Sequence, residues 1–285
     1  MDIEFLSLEC YPSWVKLVVL VSPHLVEKHV KSSNLLARAW DYVTRDLEIQ
    51  ELLRMSNVNA VMRLLYNDHG PVHAAIVAGS SLEIFEILLD SGITPSSIAQ
   101  GVVGDVDYAK LIVLLGAYLH DIGNSIHRHN HELTGAQISY YILSRILPEI
   151  MPTEDMRLIY RVRSEVMNVI YSTAMDVDAL TIEASVVKVA DGTDMAEGRA
   201  RIPYSKGKMD MHALSALSIK RVEIEPGGTR PVRIKVTMSS YAGYFQLEQV
   251  LLPKIRRSLI GDYIEIMPLL MLEDGTVKPL PLITP

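Results

Sequence analysis

Four histidines crowd the segment LGAYLHDIGNSIHRHNHELTGA, residues 115–136: His120, His127, His129 and His131, with Asp121 directly after the first. Six of the nine histidines in the chain fall between His69 and His131, so even scatter does not explain them. Imidazoles and carboxylates at this density suit two kinds of chemistry, holding a divalent metal and moving protons near neutral pH. His120 and Asp121 close an apolar run, which predicts that they sit at the buried end of a helix. A carboxylate buried alone is strongly disfavoured, so a cation is expected beside it. A metal meets that need.

Asp191 is a third element. On a helix through ASVVKVADGTD, residues Ala184, Val187, Asp191 and Asp194 share one face at spacings of three and four. That face begins apolar and ends acidic, which points Asp191 toward the interior or its rim. The competing reading pairs it with Lys188, three residues earlier, on a solvated face. His73 would lie in the first turn of a helix opened by Pro71. A lone histidine in such a place is more often a satisfied polar group than a ligand. Together, His73, His120, Asp121 and Asp191 offer two imidazoles and two carboxylates from three helices. That set suits a divalent transition metal: manganese, iron, cobalt, nickel or zinc. Cys10 is the single cysteine, which argues against a thiolate-based structural zinc. Open positions on such an ion would take water and substrate, and acidified water attacks electrophiles near pH 7.

The elements that must carry these residues read mainly as helices. Helical pattern runs through NLLARAWDYV, LEIQELLRM and VNAVMRLLY, with Ser56 and Asn57 as a capping joint. A helix is predicted from Pro71 to Gly92. Another, from Asp107 to Asp121, is apolar nearly all round and should be central. NHELTGAQISYYILSRIL follows, with breaks at Pro148 and Pro152, then TEDMRLIYRVRSEVMNVIYS and LTIEASVVKVADGTDMAEG. After Gly198 the character changes. IKRVEIEPG and RPVRIKVTM alternate with the two-residue period of half-buried strands, and PGGTRP between them suits a hairpin. YFQLEQVLLPKIRRSL reads as a helix that Pro253 kinks, and DYIEIMPLLM as a third strand. The predicted fold class is mainly α, a helical bundle with a small C-terminal α+β unit (β-β-α-β). The predicted division is a helical extension over 1–58, a core domain over 59–212 and the α+β unit over 213–285. That last unit is expected to pack on the helices or to build a homodimer contact.

Composition narrows the function classes. At 49% hydrophobic and 21% charged, the 285 residues have a globular balance rather than a disordered one. A net charge of -7 disfavours a general field for nucleic acid. The segment WVKLVVLVSPHLV is too short for a bilayer span of ~20 residues, and it reads as a buried strand or core helix. MDIEF is acidic rather than signal-like. With one cysteine, a reducing, cytoplasmic setting and no membrane partner are expected.

The order of these motifs resembles the HD-domain superfamily of metal-dependent phosphohydrolases, over roughly residues 60–200. YNDHGPVHAAIV is similar to the segment with the first ligand, which maps to His73 rather than His69. LLGAYLHDIGN is similar to the His-Asp signature, NHELTGA to the following helix start at His131, and IEASVVKVADGTD to the last ligand segment at Asp191. The resemblance implies an HD-type helical bundle with His73, His120, Asp121 and Asp191 as metal ligands. It implies a single metal here. The late histidine of binuclear members is absent, and VIYST, with Ser172 or Thr173, stands in its place. Where many members carry lysine or glutamate three residues after the aspartate, this chain has Asn124. His131 and His129 are placed like general-acid or phosphate-contact histidines, and Asp194 is placed to orient water or to support a ligand. Candidate phosphate contacts are Asn124, Arg199, Arg201 and Lys206, with Lys208 adding to the field. The expected function is metal-dependent hydrolysis of a small phosphorylated substrate, a nucleotide or another phosphate ester. The alternative is a non-catalytic module that holds a metal and binds a nucleotide or a partner protein. A third reading, an RNA-directed enzyme, rests on the basic KIRRS and is disfavoured by the acidic chain.

Overall fold

The computed structural model describes residues 18–198 and 210–285. A two-residue strand, β1 (Val19–Leu20), leads into α1 (Leu25–Val30), α2 (Asn34–Arg45) and α3 (Leu47–Asn57). The first four residues of the apolar N-terminal run therefore lie outside the described residues, its middle is a short strand and its end opens α1. No joint forms at Ser56 and Asn57. The chain widens instead into a π-type turn, Val58–Arg63. Ser56 Oγ donates back to Leu52 and across to the Asp121 carbonyl, and Asn57 Oδ1 accepts from His69 N–H. These polar side chains tie α3 to the site rather than capping a new helix.

Helix α4 (Pro71–Asp90) begins at its proline, and Gly92 follows with a φ of +82°, a left-handed geometry that suits glycine. After a short α5 (Ser96–Ala99) comes α6 (Val106–Leu119), capped by Asp105 accepting from Asp107 N–H. Every residue from Leu111 to Leu119 is buried, so α6 is the axis of the bundle, with α2, α4, α8 and α9 around it. A single 3-10 turn, Ile122–Ser125, precedes α7 (His131–Ile150), α8 (Met156–Ser172) and α9 (Ile182–Thr193). Pro148 does not end α7. Only its last two residues follow the proline, so the ladder loses little there. Helix α4 is long and apolar enough to cross a membrane by composition, but 72% of that apolar window is buried inside the fold.

Helix α10 (Met211–Ser218) leads into β2 (Ile219–Pro226) and β3 (Val232–Met238), an antiparallel hairpin as predicted. Val232, Ile234 and Val236 are buried, while Arg233 and Lys235 pair with Glu225 on the opposite face. The Glu265 carboxylate closes the hairpin turn, accepting from the N–H groups of Gly228, Thr229 and Arg230. β4 (Ile264–Met271) runs parallel to β3, so a crossover must link them, and the helical run 244–256 supplies it. β5 (Val277–Pro279) pairs antiparallel with β4, giving the order β1-β2-β3-β4-β5. The expected β-β-α-β core is present, and β1 and β5 extend it. Pro253 distorts the crossover: lacking an N–H, it cannot bond the Gln249 carbonyl, and a π-type turn at Leu247–Leu251 directly precedes Leu252–Arg256.

Candidate metal centre

Three segments of the bundle converge at the C-terminal end of α6. His73 comes from the first turn of α4, His120 and Asp121 from the end of α6, and Asp191 from the last turn of α9. One ligand atom from each of His73, His120 and Asp121 lies within 4.8 Å of the others. His73 Nε2 is 3.4 Å from Asp121 Oδ2 and 3.2 Å from Asp191 Oδ1. His120 Nε2 is 3.4 Å and 3.7 Å from the same two oxygens.

The tautomers follow from the outer bonds. A carboxylate only accepts, so His73 Nδ1 donates to Asp194 Oδ2 at 2.6 Å. His120 Nδ1 donates to the Ala117 carbonyl at 2.8 Å. Both rings therefore turn Nε2 toward the two carboxylates. His120 Nε2 and Asp121 Oδ2 are buried without a hydrogen-bond partner. Buried polar atoms left so are rare in native folds, and here the two face each other. A cation between them satisfies both, so the residues fit a divalent ion. The electrostatics agree. Burial works against charge on His120, yet Asp121 and Asp191 raise its pKa to about 10. Burial likewise opposes ionisation of Asp121, but His120 and His69 hold its pKa well below the usual carboxylate range. For Asp191, Lys254 foremost and then the two imidazoles overcome burial in the same way.

Asn124, expected to meet phosphate, is instead used within the site. Its amide donates to Asp121 Oδ1 at 2.8 Å, and its Oδ1 accepts from Arg128 at 3.2 Å. His131 is buried beside the cluster, with Nε2 3.3 Å from Asp121 Oδ1 and Nδ1 3.0 Å from Glu132 Oε2. Burial disfavours its charged form, but these two carboxylates outweigh that and raise its pKa. Gly123 and Gly135 make this approach feasible. A Cβ on Gly123 would fall on the His131 carbonyl and 2.5 Å from the Gly135 nitrogen. His129 is exposed in the loop and is not brought to the cluster; its backbone N–H donates to His127 Nδ1. Asp194 braces His73 rather than facing the open side. Arg199, Arg201, Lys206 and Lys208 lie outside the described residues.

The open side is a cavity of about 270 Å³. His69, His120, Asp121, His131 and Asp191 line it, together with Arg128 and Lys254, which the sequence reading did not select. Lys254 Nζ donates to Asp191 Oδ2 at 2.6 Å. The lysine once weighed against Asp191 as a ligand, Lys188, is fully buried and donates to the carbonyls of Ser172, Ala174 and Val177. It thereby fixes the turn that brings Thr173 and Met175 to the cavity wall. KIRRS is no open basic stripe either, since Lys254 turns inward and Arg257 pairs with Asp178. Arg128 carried a signal in its place between two histidines of the HRHNH loop. Lys254 carried none, for nothing local links it to Asp191.

The HD domain family matches residues 94–196, the stretch that holds His120, Asp121, His131 and Asp191. His73 lies before that stretch and joins the set on geometry. The uncharacterized protein MJ1020 of Methanocaldococcus jannaschii is 44% identical over 227 residues, which cover 80% of this chain and 86% of that protein. No solved structure matches the chain. An alignment of that extent, with the family match falling on the helices that carry the buried histidine-aspartate pair, places the chain in the HD domain family.

Proposed function

We propose that the chain is a metal-dependent phosphohydrolase that cleaves a nucleotide or another small phosphate ester. The observation that carries this reading is the pair of orphaned buried atoms, His120 Nε2 and Asp121 Oδ2, bordering a solvent-reached cavity. A structural ion would be expected to sit closed off by protein ligands, whereas this cluster opens onto a cleft.

His73, His120, Asp121 and Asp191 would hold the ion. When bound, a divalent ion there lowers the pKa of water and draws charge from a phosphoryl oxygen. The surrounding residues set the geometry. Asp194 and the Ala117 carbonyl fix the two rings with Nε2 inward, and Asn124 fixes the Asp121 carboxylate. His131, whose pKa Asp121 and Glu132 raise against burial, lines the cavity and is placed to pass a proton to a leaving oxygen. Arg128 gives a fixed positive charge beside it, suited to an anionic substrate.

The test is phosphate release from a panel of nucleotides and sugar phosphates with added Mn²⁺ or Co²⁺, comparing wild type with Asp121→Ala. Metal-dependent release that the substitution abolishes is the expected result. Tight nucleotide binding with no release across the panel would sink the enzyme reading in favour of a binding module.

A further inference from the structure

The cavity has walls from two parts of the chain. The bundle provides the metal set, Arg128 and His131. The C-terminal part provides His212, Gln249, Val250 and Lys254. The helix Leu252–Arg256 is held firmly against α9. Ala179 N–H donates to the Arg257 carbonyl at 2.9 Å, and Leu259 N–H to Ser185 Oγ at 2.9 Å. Gly192 lets the two helices close: a Cβ there would stand 3.1 Å from Leu251 Cδ1 and 3.2 Å from Lys254 Cδ. The Lys254 stem thus passes over a glycine between the two aspartates of ADGTD.

Lys254 is only 7% exposed. Its ammonium has three donors, and among the described residues Asp191 is the one acceptor it meets. Two N–H groups are left over on a nearly buried ammonium that borders the cavity. A buried charge with spare donors is stabilised by an anion, and the spare donors here lie beside a carboxylate that is itself expected to hold a metal. The cavity is at or below the small end of ligand clefts, roughly 300–1,000 Å³, and its lining is mostly charged or hydrogen-bonding.

We infer that Lys254, delivered by the C-terminal crossover helix, is a substrate-contact residue that receives a phosphoryl oxygen of a compact phosphate ester; this rests on the metal-site reading above. One donor fixes Asp191 through Oδ2 and leaves Oδ1 toward the imidazoles. The remaining donors take the anion. The cleft is therefore finished only when the C-terminal unit is docked.

Isothermal titration of full-length protein with Mn²⁺, and of the Mn²⁺-loaded protein with inorganic phosphate, tests this in wild type, Lys254→Met and Lys254→Arg. The expected result for Lys254→Met is retained but weakened Mn²⁺ binding, since Asp191 loses its partner, and, with the protein saturated in Mn²⁺, phosphate affinity reduced at least tenfold, a loss of ~1.4 kcal/mol or more. Lys254→Arg should recover part of that loss, because the guanidinium also donates to both partners. Unchanged phosphate affinity in Lys254→Met overturns the inference and leaves the metal site standing. Loss of Mn²⁺ binding in that variant, with melting temperature preserved, makes Lys254 a scaffold for Asp191 and also overturns it. Failure of the wild type to bind Mn²⁺ removes the metal reading and this inference with it. Should Lys254→Met not fold, Lys254→Gln, which keeps a donor and the stem, carries the same comparison.

Discussion

Metal uptake should tighten steeply with pH, by an amount the site itself sets. In the metal-free protein His120 is buried between two carboxylates that raise its pKa to about 10. Nδ1 already gives its proton to Ala117, so the extra proton sits on Nε2, the atom an ion needs. Below about pH 10, binding must therefore expel that proton. One proton released per ion makes the apparent affinity rise about tenfold per pH unit, ~1.4 kcal/mol, so roughly 30-fold from pH 7 to 8.5. Titration with Mn²⁺ in buffers of differing ionisation enthalpy reads the proton count directly. The same linkage reaches stability. The folded pKa is raised, so charged His120 contributes stability fully below its unfolded value of 6.5 and loses it as pH climbs toward 10. The melting temperature of the metal-free protein should fall across that window, and that of the loaded protein should not fall on this account. Affinity that stays flat between pH 7 and 8.5, with no proton released, would refute the idea that His120 is trapped between Asp121 and Asp191.

Other outcomes follow from the outer bonds and the packing. Asp194→Asn removes the carboxylate that orients His73 and should lower metal affinity about 10–100-fold with the fold retained, as titration with Mn²⁺ would show. Gly123→Ala drives a methyl group into the first turn of α7 and should cost about 3 kcal/mol or more, measured by denaturant unfolding; a neutral result would mean the 3-10 turn is not packed as described. Glu165 is raised in pKa by burial and by Glu183, and both carboxylates have a buried oxygen without a partner. Glu165→Gln should therefore raise the melting temperature at pH 7, by about 2–4 °C per kcal/mol relieved, and much less near pH 4, where the wild-type acid is protonated.

Long periodic segments were legible because their burial is local and one-sided. Helices α4, α6, α7, α8 and α9 follow apolar patterns that need no distant partner to be recognised, and PGGTRP announces its hairpin through turn chemistry. β1 and β5 were not legible. Two or three exposed residues acquire strand geometry only from the neighbour they pair with. The π-type turns were equally hidden, one of them arising from a proline whose effect falls on the preceding turn. Within the site, His73, His120, Asp121 and Asp191 sat in recognisable motifs. Asn124 was assigned to phosphate because it stands where many family members carry lysine or glutamate, while its partner lay three residues back on its own turn. Lys254 lies 63 residues from Asp191 along the chain. Its neighbours look like a solvated basic run, and only the tertiary fold turns it inward.

The parallel pairing of β3 with β4 also bears on the order of events when the protein is made. The bundle closes from contacts between neighbouring helices, and such local contacts form early. The segment carrying Lys254 is tied to the bundle through Arg257 and Leu259 and is anchored beyond them by β4, which pairs only once residues 264–271 have emerged and found β3. A nascent chain thus acquires its imidazoles and acidic groups well before its mouth is shaped. On the proposed reading, a growing polypeptide captures an ion early and gains its phosphate-binding mouth only when the last strands zip into place.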